Sequence, residues 1–310
     1  MSQDQSPSWD NPILRVTSES QWRAQYRLLQ SWYREIIIGA PPGIYRGRQR
    51  GNHLSQKWLE DHPHANFLSS EVGKYVERRV VEAKAEGATL EEERLRSNML
   101  SSMPLCFNLF GHLRAYPQDA AAPLALAFDL DISEITRIEM EWGPNPEEHL
   151  RDRTAFDAYI EYLDSNGKSG FIGVETKYTE SFSPIEYESD EYTTVTNSSE
   201  SGFKPEAEKI LKGRKTNQLW RNAMLVVSHR SKSKFTYGHV AVVHCDGDRG
   251  LESAITKFEA QLSDRDSLLR IASLETIIGE LASVEVFKKF AAEFTRRYLD
   301  LSPIMVDHAH

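Results

Sequence analysis

The chain has 310 residues, 40% of them hydrophobic and 27% charged, with a formal net charge of −9; this suits one large α/β domain with additions, or two small domains, of ordinary globular composition. No apolar run approaches the roughly 18–20 residues that span a bilayer, and the polar start MSQDQSPSWDNP lacks the basic-then-apolar order of a signal peptide. Cys106 and Cys245 lie far apart without CxxC spacing, so buried, reduced thiols in a cytoplasmic protein are expected.

The acidic balance argues mildly against a general nucleic-acid binder. The charge is segregated, however. Nine Lys/Arg stand against two acids between Lys204 and Lys234, just after an acidic stretch holding Glu180, Glu186, Glu188, Asp190 and Glu191.

Residues 1–20 show no periodicity. From Gln21 to Ile38, apolar residues recur at spacings of three and four (Trp22, Tyr26, Leu29, Tyr33, Ile36), which predicts a helix ended by Pro41-Pro42-Gly43. A basic loop with Arg46, Arg48 and Arg50 follows. Phe67, Val72, Val76 and Val80 mark another helix within 65–90. The charged start LEEERLRSNML leads into SSMPLCFNLFGHL, a helical element closed by Gly111 and Pro117, with Pro104 either kinking it or beginning a new helix.

The pattern then changes to period two. ITRIEMEW (135–142), TAFDAYIEYL (154–163) and GFIGVETKY (170–178) predict three strands in an antiparallel meander, with Asn166-Gly167 as the turn of the second hairpin. Residues 180–203 suggest a long surface loop. A helix is expected over about 205–228, a strand over 235–244, and three helical segments finish the chain, the last over about 284–299. One central mixed sheet flanked by helices is the economical way to bury these faces.

Glu175 and Lys177 are two apart on the third strand and so share a face. Asp157, near the start of the second strand, lies as far from the Asn166-Gly167 turn on one side as Glu175 does on the other. All three side chains therefore meet at one end of the sheet. Two carboxylates suit a hard divalent cation, which polarises a phosphodiester and acidifies a bound water. A lysine beside them suits orienting that water or stabilising charge on the phosphate.

Asp157…Glu175-Thr176-Lys177 resembles the D…(D/E)-x-K signature of the PD-(D/E)XK nuclease superfamily, whose core runs αβββαβ, the order read over about 92–244. Phe156 stands where the name has proline. The run from Leu100 to Gly111, with Ala155-Phe156-Asp157, Glu175-Thr176-Lys177-Tyr178 and Gln218-Leu219-Trp220-Arg221, is similar to a bacterial family of restriction-type endonucleases over most of the chain after about residue 45. The resemblance implies Asp157 and Glu175 as metal ligands and Lys177 as the water-orienting group, with Mg²⁺ as cofactor and Mn²⁺ able to substitute. It adds Glu141, or Glu139 on the same face, and Glu93 of the preceding helix as further metal-facing acids. It adds Gln218 as a polar residue at the site. Lys212, Arg214, Lys215 and Arg221, together with Arg46 and Arg48 of the basic loop, are the candidate phosphate contacts.

The implied organisation is an N-terminal helical extension (1–90) packed on a nuclease core with C-terminal helices (91–310) as one compact unit. The implied function is divalent-metal-dependent DNA cleavage in restriction or defence against foreign DNA, with two copies pairing to cut both strands. No ATPase or methyltransferase motif occurs, so any such defence partner is a separate protein. The alternatives are a non-catalytic nucleic-acid-binding or assembly module on the same fold, and an RNA-cleaving enzyme with the same site. His62-Pro63-His64 and the tail Asp307-His308-Ala309-His310 read as surface loop and chain end, not metal sites.

Overall fold

Ser20 caps the first long helix, Gln21–Trp32, by accepting a hydrogen bond from the backbone N–H of Arg23. The helix widens into a π-type turn, Tyr33–Ile38, and stops at Gly39 in the left-handed region. The computed structural model describes residues 12–87 and 90–305; the first eleven residues and the tail Asp307–His310 lie outside them.

The basic stretch that follows is a hairpin, not a loop. Strands β1 (Pro42–Tyr45) and β2 (Arg48–Leu54) pair antiparallel around Arg46 and Gly47. The φ values of 51° and 73° at those two residues suit a two-residue hairpin turn. The N-terminal ninety residues are therefore not purely helical. Their helices Gln56–Asp61 and Ser70–Glu86 follow the hairpin.

Helices Glu92–Ser97 and Ser102–Leu113 come next. Pro104 falls in the first turn of the second, where a missing N–H costs nothing, and Gly111 lies inside it. Pro117 does not close the element but opens a further helix, Pro117–Phe128, at the position that favours proline.

The sheet runs β3 (Glu134–Trp142), β4 (Phe156–Leu163), β5 (Ser169–Thr176), β6 (Tyr237–His244) and β7 (Leu269–Ser273), side by side in that order. The first three form the expected antiparallel meander; β5–β6 and β6–β7 are parallel. The sheet is thus mixed and flanked by helices, as the sequence suggests. The edge strand β7, inside the C-terminal helical region, has no counterpart in that reading.

Side chains of β4, β5 and β6 feed two cores, one on each face of the sheet. Ala158, Ile160, Ile172 and Val174 pack with Phe107, Phe110, Val76 and Tyr26, so N-terminal and central helices share one apolar interior. Tyr159, Phe171, Val240 and Val242 pack on the opposite face against Leu219, Trp220 and Ala223 of helix Asn217–Lys232. The helix expected over 205–228 is in fact two, Ala207–Leu211 and Asn217–Lys232. The segment 180–203 is not only loop: helix Asp190–Thr196 buries Tyr192 and Thr196 in the second core. The last long helix is Lys288–Tyr298.

Candidate active site

The β4–β5 hairpin sets the register of the site. Ala158 faces Val174 and Leu163 faces Ser169, which centres the hairpin on Asn166. Asp164 ties the turn, its Oδ1 accepting from the N–H groups of Asn166 (2.9 Å) and Lys168 (2.7 Å). This register carries Asp157 to the level of Glu175. Its Oδ2 accepts the backbone N–H of Thr176 at 2.8 Å.

Glu175 and Lys177 lie on the face covered by helix Asn217–Lys232, and both are buried, at 3% and 6% exposure. A carboxylate so enclosed needs donors, and Glu175 has three. Lys177 Nζ lies 2.7 Å from Oε1, Gln218 Nε2 donates to the same oxygen at 2.7 Å, and Asn222 Nδ2 donates to Oε2 at 2.6 Å. Gln218 also accepts from Lys177 Nζ (3.1 Å) and from the backbone N–H of Ser183 (2.7 Å). One amide thus holds carboxylate, ammonium and the following segment in fixed relation. The Phe182 ring lies 5.2 Å from Lys177 Nζ.

Charge is unevenly balanced here. Enclosure, then the negative charges of Glu175 and Glu141, hold the Asp157 carboxyl well above the usual carboxylate range, and Lys177 offsets them only in part. Burial, then Glu175, pushes the Glu141 carboxyl up to about 7. Burial works against the Lys177 ammonium, but Glu175, Asp157 and Glu180 outweigh it and leave its pKa above the ordinary lysine value.

Glu141 enters this group through an unusual backbone. Its φ is 51°, rare for a residue with a side chain. Met140 before it packs in one core, while Trp142 after it stacks 3.8 Å from Tyr159 on the other face. Strict alternation therefore fails at this position, and Glu139 and Glu141 part company. Glu139 accepts from the Tyr75 hydroxyl at 2.6 Å and lies 4.0 Å from Arg114. Glu93 is exposed on its helix. It lines a groove with Arg23, Tyr45, Arg46, Arg94 and Glu180.

Three participants have no signal strong enough in the sequence alone. Asn222 follows Gln218 by one helical turn, a spacing that means something only once the helix is known to cover the Glu175 face. Glu180 accepts from the N–H of Ser102 at 3.0 Å and adds negative charge beside Lys177. Arg94 lies 3.5 Å from Glu180 and lowers the Glu141 carboxyl against the acids around it.

The basic segment is less free than its composition suggests. Lys212 faces Glu188 at 3.5 Å, and Arg214 faces Glu186 at 4.0 Å. Arg221 donates to Thr154 Oγ1 at 2.9 Å, with its guanidinium 4.1 Å from the Tyr187 ring. Lys215 is exposed. At the hairpin tip Arg46 lies over the Tyr45 ring, which stacks on His53, and Arg48 is exposed on β2. His62 stacks on Trp58 and His64 pairs with Glu77, so the two histidines serve separate contacts.

Asp157, Glu141 and Glu175 fit a divalent cation in kind. They are hard oxygen donors, and burial, with mutual repulsion second to it, raises two of them; a cation cancels the repulsion and offsets the cost of enclosing the charge. In the conformation described, Glu175 spends both oxygens on Lys177, Gln218 and Asn222, and among the described residues no three His, Cys, Asp or Glu side chains are arranged to hold a metal ion. Among the same residues, no helix is long and apolar enough to cross a membrane, and Cys106 and Cys245 are buried and unpaired. The family model described as the PD-(D/E)XK nuclease superfamily matches residues 17–300. Searches of curated proteins and of solved structures gave no match.

Proposed function

The chain belongs to the PD-(D/E)XK nuclease superfamily, and from that premise we propose that it is a divalent-metal-dependent endonuclease acting on DNA in restriction or defence against foreign DNA. The observation that carries this reading is the meeting of Asp157, Glu175 and Lys177 at one end of the sheet in a chain of this family. Asp157 and Glu175, with Glu141 beside them, hold Mg²⁺, and Mn²⁺ substitutes. The ion, when bound, polarises the phosphodiester and acidifies a water.

The protein's own groups do the rest. Lys177, kept charged by its acidic neighbours, orients the attacking water or meets the charge that grows on the phosphate. Gln218 keeps that ammonium and the Glu175 carboxylate in register. Arg46 and Arg48 on the hairpin, with Lys212, Arg214, Lys215 and Arg221, contact the nucleic-acid backbone and add salt-dependent affinity. Two copies pair through the helical additions to cut both strands.

A second reading has one observation in its favour. The near-complete enclosure of Glu175 and Lys177 suits a non-catalytic nucleic-acid-binding module. Matched DNA and RNA substrates, incubated with the folded protein and Mg²⁺ or Mn²⁺, separate the readings. Cleavage of DNA with RNA spared supports the proposal. RNA cut with DNA spared moves the substrate to RNA, and neither substrate cut favours the binding module.

A further inference from the structure

Resting on the nuclease reading, we propose that Glu186-Tyr187-Glu188 is an internal stand-in for a nucleic-acid strand, seated on the cationic row Lys212, Arg214 and Arg221 that substrate must occupy. The three residues meet that row as a nucleotide would. Glu186 Oε1 accepts the backbone N–H of Arg214 at 3.0 Å and lies 4.0 Å from the Arg214 guanidinium. A backbone N–H and an arginine converging on one oxygen is a common way to hold a phosphate. Glu188 Oε1 lies 3.5 Å from Lys212 Nζ. Between them the Tyr187 ring lies 4.1 Å from the Arg221 guanidinium, in the place a base takes when it stacks on arginine.

The segment is anchored at the catalytic cluster and runs outward. Its start is tied by the Ser183 N–H to Gln218, the residue that clasps Glu175 and Lys177. Its middle is held at Tyr187, whose N–H donates to Asn217 Oδ1 (3.2 Å) and whose carbonyl accepts from Asn217 Nδ2 (3.1 Å). Asn217 is fully buried, so Tyr187 is presented in a fixed place although 42% of the residue is exposed. The acidic run and the basic run that follow each other in the sequence thus fold back on one another.

The ionic contacts are built to yield. The side chains of Arg214 and Glu188 are 77% and 65% exposed. Pairs this open are weak and screened by salt. A polyanion presenting many phosphates in register displaces them, whereas a monovalent salt only loosens them. The stand-in therefore excludes weak or short ligands and gives way to a strand long enough to engage the whole row.

The test measures binding of a labelled single-stranded oligonucleotide by fluorescence anisotropy, with EDTA present so that nothing is cut. The expected result is that Glu186→Gln/Glu188→Gln binds about tenfold more tightly than wild type at low salt, the gain shrinking as salt rises. Adding Lys212→Ala/Arg214→Ala abolishes that gain. Both acids are exposed, so the variants fold. Unchanged or weaker binding by the double glutamine variant overturns the proposal. Hydrogen exchange at the Ser183 and Tyr187 amides gives the second arm: it rises when the oligonucleotide is added to wild type, and unchanged protection at saturation overturns displacement. Tighter binding by the variant together with no cleavage under any metal keeps the stand-in and removes the nuclease reading.

Discussion

Asn222 Nδ2 donates to Glu175 Oε2 over 2.6 Å, across 47 residues of chain. The contact places a buried helix amide behind a carboxylate proposed to hold the metal. Supporting partners of this kind fix the orientation of a ligand and tune its affinity. Asn222→Ala leaves that oxygen without its donor, a loss of about 1–3 kcal/mol in a buried setting. The expected outcome is a requirement for Mg²⁺ raised by about 10–100-fold, with activity returning at high Mg²⁺. Cleavage rate over a Mg²⁺ titration measures it, and a wild-type curve from the variant counts against the role.

Lys177 is the cation that Asp157 and Glu175 share. Lys177→Met leaves two enclosed carboxylates facing each other. Breaking a buried pair in this way costs about 3–5 kcal/mol. The metal-free variant is expected to melt several degrees below wild type and to recover part of the difference on adding Mg²⁺, while its cleavage does not return. Thermal melts with and without Mg²⁺ decide it; a variant as stable as wild type in EDTA contradicts the charge balance described.

Glu141 gives a pH signature. Its carboxyl is pushed up to about 7, first by burial and then by Glu175, from an unfolded value of about 4.3. The folded state therefore holds the proton more tightly. That contribution to stability is complete below the unfolded value and is lost as pH rises through about 7. Glu141→Gln removes this fall, so the variant gains on wild type between pH 5 and pH 8 in metal-free buffer. Denaturant midpoints at four pH values measure the difference; parallel curves for the two proteins refute it.

Two buried histidines act in the opposite sense. Burial, then Arg270 and Arg230, lowers the His239 imidazole to about 3, and burial, then Arg27 and Arg50, lowers His53 to about 4. Each is neutral in the fold and protonates more readily in the unfolded chain. Their contribution is present above about 6.5 and is lost as pH falls toward 4. His239→Gln is expected to flatten the acid side of the stability profile. An unchanged acid limb shows that another group governs it.

The site was legible where local rules suffice. Asp157, Glu175 and Lys177 follow from period-two alternation and from distance to one turn, and the hairpin centred on Asn166 obeys both. Glu141 was legible only as a choice between two acids, because the positive φ that separates it from Glu139 is a backbone exception that alternation cannot foresee. Asn222 was not legible, since its meaning depends on which sheet face its helix covers. Strand β7 is five residues between helices, too short to show a period. Pro117 marks an end as readily as a beginning until the following helix is seen to pack. The polar composition of 180–203 hides Tyr192 and Thr196, which are buried by tertiary contacts that no local pattern records.

The central claim is that Asp157 and Lys177 belong to a working metal-dependent nuclease site. The most direct test is nicking of supercoiled plasmid and cleavage of single-stranded DNA with Mg²⁺ or Mn²⁺, comparing wild type with Asp157→Ala and Lys177→Ala after circular dichroism has shown all three folded. The account predicts cleavage by wild type that is abolished by EDTA and lost in both variants. Cleavage that survives in either variant, or that persists in EDTA, contradicts it.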